Sequence, residues 1–282
     1  MNRLLAALLF LSILSFSLFA DDYPEPAFKP LGITAHAHND YEHENPLWDA
    51  LHYGFSSIEA DVHLVDGIFY VAHDVEDIRP ERTFRSLYLD PLQSLVKNNK
   101  GCVFQDGSGI LLFVDMKTEG EDCWPALKRV LLEYGEMLSV FRNGKLDEGP
   151  LTVIVSGNRD WKAMSAEKIC PALYDGRFEN LTTDPDSPLI PLISAGWTDE
   201  FAWEGEGLIP ESDQETMKNV IEMAHSQGRM IRFWATDVPD AEGQEYIWDL
   251  LLAAGVNFIN TDKLAEFRKY LERDELIGNP GF

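Results

Sequence analysis

The residues with the most chemical potential lie in three short stretches: Ala35-His36-Ala37-His38-Asn39-Asp40, Ile58-Glu59-Ala60-Asp61 and Ala72-His73-Asp74. Glu59 and Asp61 are two apart, and on a strand such residues point to one face. Two carboxylates so placed repel unless a cation or a shared proton compensates, and Mg²⁺ and Ca²⁺ take oxygen ligands of this kind. The competing reading is two acids on a solvated strand face. A third acid, Asp115, closes the apolar run Leu111-Leu112-Phe113-Val114, with Lys117 two residues on and facing the same way. Glu59, Asp61 and Asp115 with water could hold one divalent cation, Mg²⁺ or Ca²⁺, which would screen a phosphodiester and act as a Lewis acid. Lys117 suits stabilisation of the remaining transition-state charge.

Imidazoles titrate near neutral pH and can both take and give a proton. His36 and His73 are the acid/base candidates; His38, on the same strand face as His36, is the alternate. His43, His52, His63 and His225 read as structural or exposed. Arg79, Arg82 and Arg85 form the conspicuous basic cluster, and Arg79 is the candidate from it for a substrate phosphate, since an arginine fork matches phosphate oxygens.

Positioning these groups requires a scaffold, and short apolar, β-branched runs alternate with helical segments along the chain. Strands are expected at Leu31 to His36, Ser56 to Val62, Ile110 to Asp115, Leu151 to Ser156, Ile169 to Leu173, Leu189 to Ser194, Met230 to Trp234 and Val256 to Asn260. Eight β/α units in roughly 250 residues fit an α/β TIM (β/α)8 barrel, whose catalytic face lies at the carboxyl ends of the strands. His36, Glu59, Asp61 and Asp115 fall there. Helices are expected at Glu121 to Ser139, Glu211 to Gln227, Glu242 to Ala254 and Asp262 to Arg273. With no repeat or linker, residues 28–275 read as one domain, and 74–109 as an insertion following a hairpin return at Gly67 to Val71.

Composition limits the partners. Met1-Asn2-Arg3, the apolar run to Phe19 and Ala20 read as a signal peptide over residues 1–20, giving an exported (periplasmic or secreted) protein; the alternative is an N-terminal membrane anchor. The net charge is −25, and Arg3 is the only charged residue among the first twenty, so the exported chain would carry −26. That argues against nucleic acid. Three cysteines without CxxC spacing argue against zinc, and an exported chain allows one disulfide, with Cys102 and Cys123 as the pair. The chain is expected to act as a monomer.

Several phrases resemble a known superfamily. His38-Asn39-Asp40-Tyr41, Pro46-Leu47, Ile58-Glu59-Ala60-Asp61-Val62, Arg82-Thr83, Leu87-Tyr88-Leu89-Asp90-Pro91-Leu92, Arg232-Phe233-Trp234 and Asn260-Thr261-Asp262 look like the PLC-like phosphodiesterases. That group includes glycerophosphodiester phosphodiesterases and sphingomyelinase D-type phospholipases. The wording is nearest to the altered inheritance of mitochondria protein 6 family. The resemblance implies His36 and His73 as catalytic pair, Glu59, Asp61 and Asp115 as metal ligands, Lys117 as catalytic lysine and Trp234 at the substrate face. It favours His36 over His38, because His36 and Asn39 are similar to the His-x-x-Asn of the sphingomyelinase D branch, which also places Asn39 at the substrate. Typical glycerophosphodiesterases carry His-Arg-Gly instead, and here Ala37 stands where that arginine would be.

The implied reaction is intramolecular: one histidine deprotonates a substrate hydroxyl that attacks phosphorus, and the other protonates the leaving oxygen. The expected function is thus an exported, metal-dependent phosphoric diester hydrolase or lyase acting on a glycerophosphodiester or phospholipid headgroup. The alternative is a non-catalytic barrel that binds a phosphorylated ligand. A glycosidase is disfavoured, because Glu59 and Asp61 lie too close for opposite sides of a sugar bond.

Overall fold

A computed structural model describes residues 30–31, 34–203, 205 and 207–273. The expected signal peptide at 1–20 and both expected domain limits, 28 and 275, lie outside the described residues. Eight strands run parallel: Thr34–Ala37, Ser57–Val65, Ile110–Met116, Leu151–Gly157, Leu173–Gly176, Leu192–Gly196, Met230–Trp234 and Phe258–Thr261. Each pairs with the next, and the last returns to the first with Thr34 opposite Phe258 and Ala37 opposite Thr261. The sheet is therefore closed, as a TIM barrel requires. Runs such as Ile110–Met116 are apolar on nearly every residue because parallel strands are covered on both faces.

Strand limits shift at most of the eight, and prolines account for the two largest changes, in the fifth and sixth. Ile169–Cys170 does not begin the fifth barrel strand but pairs with Val140–Arg142 in a small antiparallel sheet. Pro171 lacks the N–H to continue it, and the barrel strand starts only at Leu173. Likewise the sixth strand starts at Leu192, after Pro191, rather than at Leu189. The first strand runs Thr34–Ala37, so its carboxyl end lies one residue later than expected. Helix Cys123–Leu132 is shorter than expected, with Gly135 just beyond it. Cys102, Cys123 and Cys170 are all free, which corrects the expected disulfide; the Cys123 thiol donates to the Thr118 carbonyl instead.

The second strand is continued by a tight hairpin. Asp66 and Gly67 both have positive φ, 49° and 80°, and return strand Ile68–Val71 pairs antiparallel with the second strand. The segment 74–109 then carries helix Asp90–Asn98, a crossover of the kind that parallel second and third strands need. No helix among the described residues is long and apolar enough to cross a membrane.

The outer helices close on an aromatic cluster. Phe267, on helix Leu264–Arg273, is fully buried, with ring centroids 4.9 Å from Trp248 and 6.1 Å from Phe55. Removing so large a buried ring leaves a cavity its neighbours fill only in part. Phe267→Ala is expected to lower stability by about 3–5 kcal/mol, read as a shifted denaturant midpoint with an unchanged slope.

Candidate active site

Strand register assembles the acids. Asp61 lies opposite Asp115, and Asp115 opposite Ser156, at the carboxyl ends of the second to fourth strands. Glu59 sits one side-chain step deeper. The three carboxylates offer oxygens within 4.8 Å of one another. Asp61 is nearly inaccessible, and its Oδ2 is crowded: Lys117 Nζ lies at 2.9 Å, the Tyr41 hydroxyl donates at 2.7 Å, and His73 Nδ1 lies at 3.0 Å. Its Oδ1 is buried without a hydrogen-bond partner. Lys117 also reaches Asp115 Oδ1 at 3.4 Å.

These residues fit a divalent cation. An orphaned buried carboxylate oxygen among three hard oxygen donors is the chemistry Mg²⁺ and Ca²⁺ use. Space for Asp115 depends on Gly157, since a Cβ there would collide with Asp115 Oδ1 and φ is +66°. Charge placement agrees. Burial alone would raise Glu59, but the Arg232 guanidinium and the His36 hydrogen bond hold it below the usual carboxylate range. Burial and the Glu59 charge raise Asp115, with Lys117 opposing. Burial weakens the Lys117 ammonium, yet Asp115 and Asp61 outweigh that and raise its pKa.

The two histidines of the first strand occupy different worlds. His36 is inside the barrel with no exposed surface. Its Nδ1 lies 2.7 Å from Ser57 Oγ, its Nε2 lies 2.9 Å from Glu59 Oε2 and 2.7 Å from Arg232 Nη1, and its ring meets Phe113 edge-on at 4.7 Å. Burial and the Arg232 charge lower its pKa to about 4, against the pull of Glu59. His38 follows the strand end and is partly exposed. Its Nδ1 lies 2.8 Å from Asp262 Oδ1, while Nε2 has no partner among the described residues. Burial disfavours its charged form, but the Asp262 hydrogen bond and the Glu59 charge outweigh that and raise its pKa.

The remaining expected residues divide. His73 is exposed beside Asp61, its carbonyl held by His63 Nε2 at 3.1 Å. Ala72 N–H donates to Asp61 O at 3.2 Å, so the hairpin brings His73 back over the acids. Asn39 has φ 48°, with Oδ1 3.0 Å from the Tyr41 hydroxyl and Nδ2 3.0 Å from His38 Nδ1. Trp234 is half-buried where the sixth and seventh strands end, its indole facing Gly196. Arg79 is exposed and its side chain makes no hydrogen bond or ion pair among the described residues, while Arg82 donates to the Tyr41 carbonyl.

Tyr41, Arg232 and Asp262 stand within the phrases that carry the family resemblance but receive no site role from the sequence. Arg232 carried a signal, a charge inside the apolar run Met230–Trp234, where alternate residues must point into the barrel. Asp262 is where the last strand ends, beside the first. Tyr41 takes its place through a loop that the sequence pattern does not describe.

Residues 29–174 match the family described as "AIM6-like phosphodiesterase domain". An altered inheritance of mitochondria protein 6 homolog of Arthroderma benhamiae is 27% identical over 262 residues, 84% of this chain and 83% of the relative. The altered inheritance of mitochondria protein 6 of Eremothecium gossypii is 25% identical over 287 residues, 86% and 70% respectively. A crystal structure of a glycerophosphoryl diester phosphodiesterase from Parabacteroides distasonis shares the fold, with TM-score 0.51 and 16% identity over 92% of both chains.

The loop between His38 and the first helix is pinned by Asp40, fully buried, which accepts from Leu47 N–H at 2.6 Å and from the Tyr88 hydroxyl at 2.8 Å. Burial pushes its pKa from 3.8 to about 7, with both hydrogen bonds opposing. The folded state therefore keeps a proton that the unfolded chain has lost, so the stability linked to Asp40 is full below pH 3.8 and is lost as pH rises toward about 7. Relative to Asp40→Asn, which cannot titrate, wild type should lose up to about 4 kcal/mol across that window. Denaturation at a series of pH values checks this, and parallel profiles for the two proteins contradict it.

Proposed function

The chain belongs to the AIM6-like phosphodiesterase domain family, and from that premise we propose a phosphodiester of a polyol or lipid headgroup as substrate, with one divalent cation and the pair His38 and His73. The observation that carries this reading is the convergence on Asp61: Lys117, Tyr41 and His73 meet one oxygen, and the other is left for an ion. Glu59, Asp61 and Asp115 would hold that ion, which supplies charge screening to the phosphoryl oxygens when bound.

The acid/base role expected of His36 passes in this reading to His38. Both His36 nitrogens are engaged inside the barrel, and its lowered pKa leaves it neutral. His38 instead has the arrangement of a general base. Nδ1 lies 2.8 Å from Asp262 Oδ1 and 3.0 Å from Asn39 Nδ2; with Nδ1–H given to the carboxylate, the stronger acceptor, Nε2 keeps its lone pair toward solvent and Asp262 stabilises the imidazolium that forms. His38 Nε2 takes the proton of a hydroxyl adjacent to the phosphodiester. The hydroxyl oxygen bonds to phosphorus, the phosphorus–leaving-group bond breaks, and His73, oriented through Nδ1 by Asp61, gives its proton to the departing oxygen. Lys117 holds the charge gathering on the phosphoryl oxygens. The product is a cyclic phosphate and a free alcohol, and water can open the ring with the two histidines exchanging roles.

The test is a panel of glycerophosphodiesters and lysophospholipids assayed with Mg²⁺ or Ca²⁺. His38→Ala and His73→Ala are each expected to lower kcat by about 10²–10⁴-fold, and a chelator to abolish turnover reversibly. Activity indifferent to chelator and to both substitutions contradicts the reading. A greater loss in a folded His36→Gln variant than in His38→Ala returns the role to His36.

A further inference from the structure

Two cations on the catalytic face are unused by this mechanism. Arg159 and Arg177 each follow the glycine that ends a barrel strand, Gly157 on the fourth and Gly176 on the fifth, and those strands are neighbours with Val155 opposite Tyr174. The Arg159 guanidinium lies over the Tyr174 ring, 4.9 Å from its centroid, and Nη1 donates to the Gly157 carbonyl at 3.0 Å. Its Nε is buried without a hydrogen-bond partner, and among the described residues no carboxylate forms an ion pair with Arg159. Arg177 is paired, Nη1 reaching Asp175 Oδ2 at 2.8 Å, but that buried carboxylate also answers the Arg232 charge, so one acid faces more than one cation.

A half-buried arginine with no carboxylate in direct contact is costly; the Arg177 charge adds to that cost and Asp175, paired with Arg177, offsets only part of it. The cost is conspicuous in a chain with 48 acidic residues against 23 basic ones, where a carboxylate partner would be easy to supply. The pair also adjoins the reaction centre. Gly157 abuts Asp115, the Asn158 amide N–H donates to Met116 O at 2.8 Å, and Asn158 Nδ2 donates to Lys117 O at 2.9 Å. The turn that carries Arg159 is thus fastened to the strand end that carries Asp115 and Lys117.

We propose that Arg159, backed by Arg177, receives a second anionic group of the substrate, a phosphomonoester or carboxylate carried beyond the scissile phosphodiester. A guanidinium fork offers paired donors to such a group, and the anion supplies the missing counter-charge. Headgroups that end in a quaternary ammonium are disfavoured by the same two charges. The proposal rests on the phosphodiesterase reading for the scissile phosphate, while the anion receptor is a separate claim with its own readout.

Two measurements test it. The first is kcat/KM for matched glycerophosphodiesters, one with a plain glycerol headgroup and one whose headgroup bears a phosphomonoester. Wild type should favour the second by about tenfold or more, Arg159→Met should remove most of that ratio through KM, and Arg159→Lys should recover part of it. An equal fall on both substrates, or an unchanged ratio, overturns the proposal. The second is calorimetric titration of glycerol 3-phosphate into chelator-treated protein, where no turnover is needed. Binding weakened about tenfold by Arg159→Met supports the receptor; no binding, or binding equal in both proteins, overturns it. Retained anion binding in a protein that cleaves no phosphodiester would sink the functional reading alone.

Discussion

Mutual repulsion among Glu59, Asp61 and Asp115 is the constraint around which this barrel is arranged. Parallel register forces the three acids to one point, where burial removes the water that would screen them. The chain answers with two cations at different depths. Lys117 lies toward the open end against Asp61 and Asp115, and Arg232 lies inside against Glu59 at 3.2 Å. Arg232 is itself held, with Nε donating to Ser194 Oγ at 3.2 Å and its guanidinium 4.5 Å from the Phe113 ring centroid. Ser194 continues to Asp175, so a polar chain crosses the barrel interior from the second strand to the fifth. One cation per flank leaves the three acids still in excess, which is the charge imbalance that the proposed divalent cation would offset.

This arrangement gives the histidines separate duties. His36 touches both Glu59 and Arg232 and acts as a neutral spacer in the buried charge network. His38, beyond the strand end and partly exposed, is the histidine to which the proposed mechanism gives the substrate. Two residues along a strand keep the same face but change depth by a full step, and in a closed barrel depth separates packing from catalysis.

Much of this was legible in the sequence. The Glu59/Asp61 spacing, the apolar run ending at Asp115 and the following Lys117 mark two strand ends and their shared face, because a strand's side-chain period leaves few alternatives. Strand limits were less legible where proline intervened at Pro171 and Pro191, since an apolar residue before a proline looks the same whether it joins the barrel or a side sheet. The depth of His36 against His38 was hidden because it turns on where the first strand ends, one residue beyond the expected place. Tyr41, Arg232 and Asp262 depend on loop conformation and on contacts across the barrel, with sequence separations that periodicity does not register.

Glu59, Asp61 and Asp115, left in net negative excess by Lys117 and Arg232, are proposed to hold a single divalent cation. Calorimetric titration of Mg²⁺ and Ca²⁺ into chelator-treated protein measures this. One ion per chain is expected, with binding lost in a folded Asp61→Asn variant. Absence of binding in wild type, or the same affinity and stoichiometry after Asp61→Asn, would contradict it.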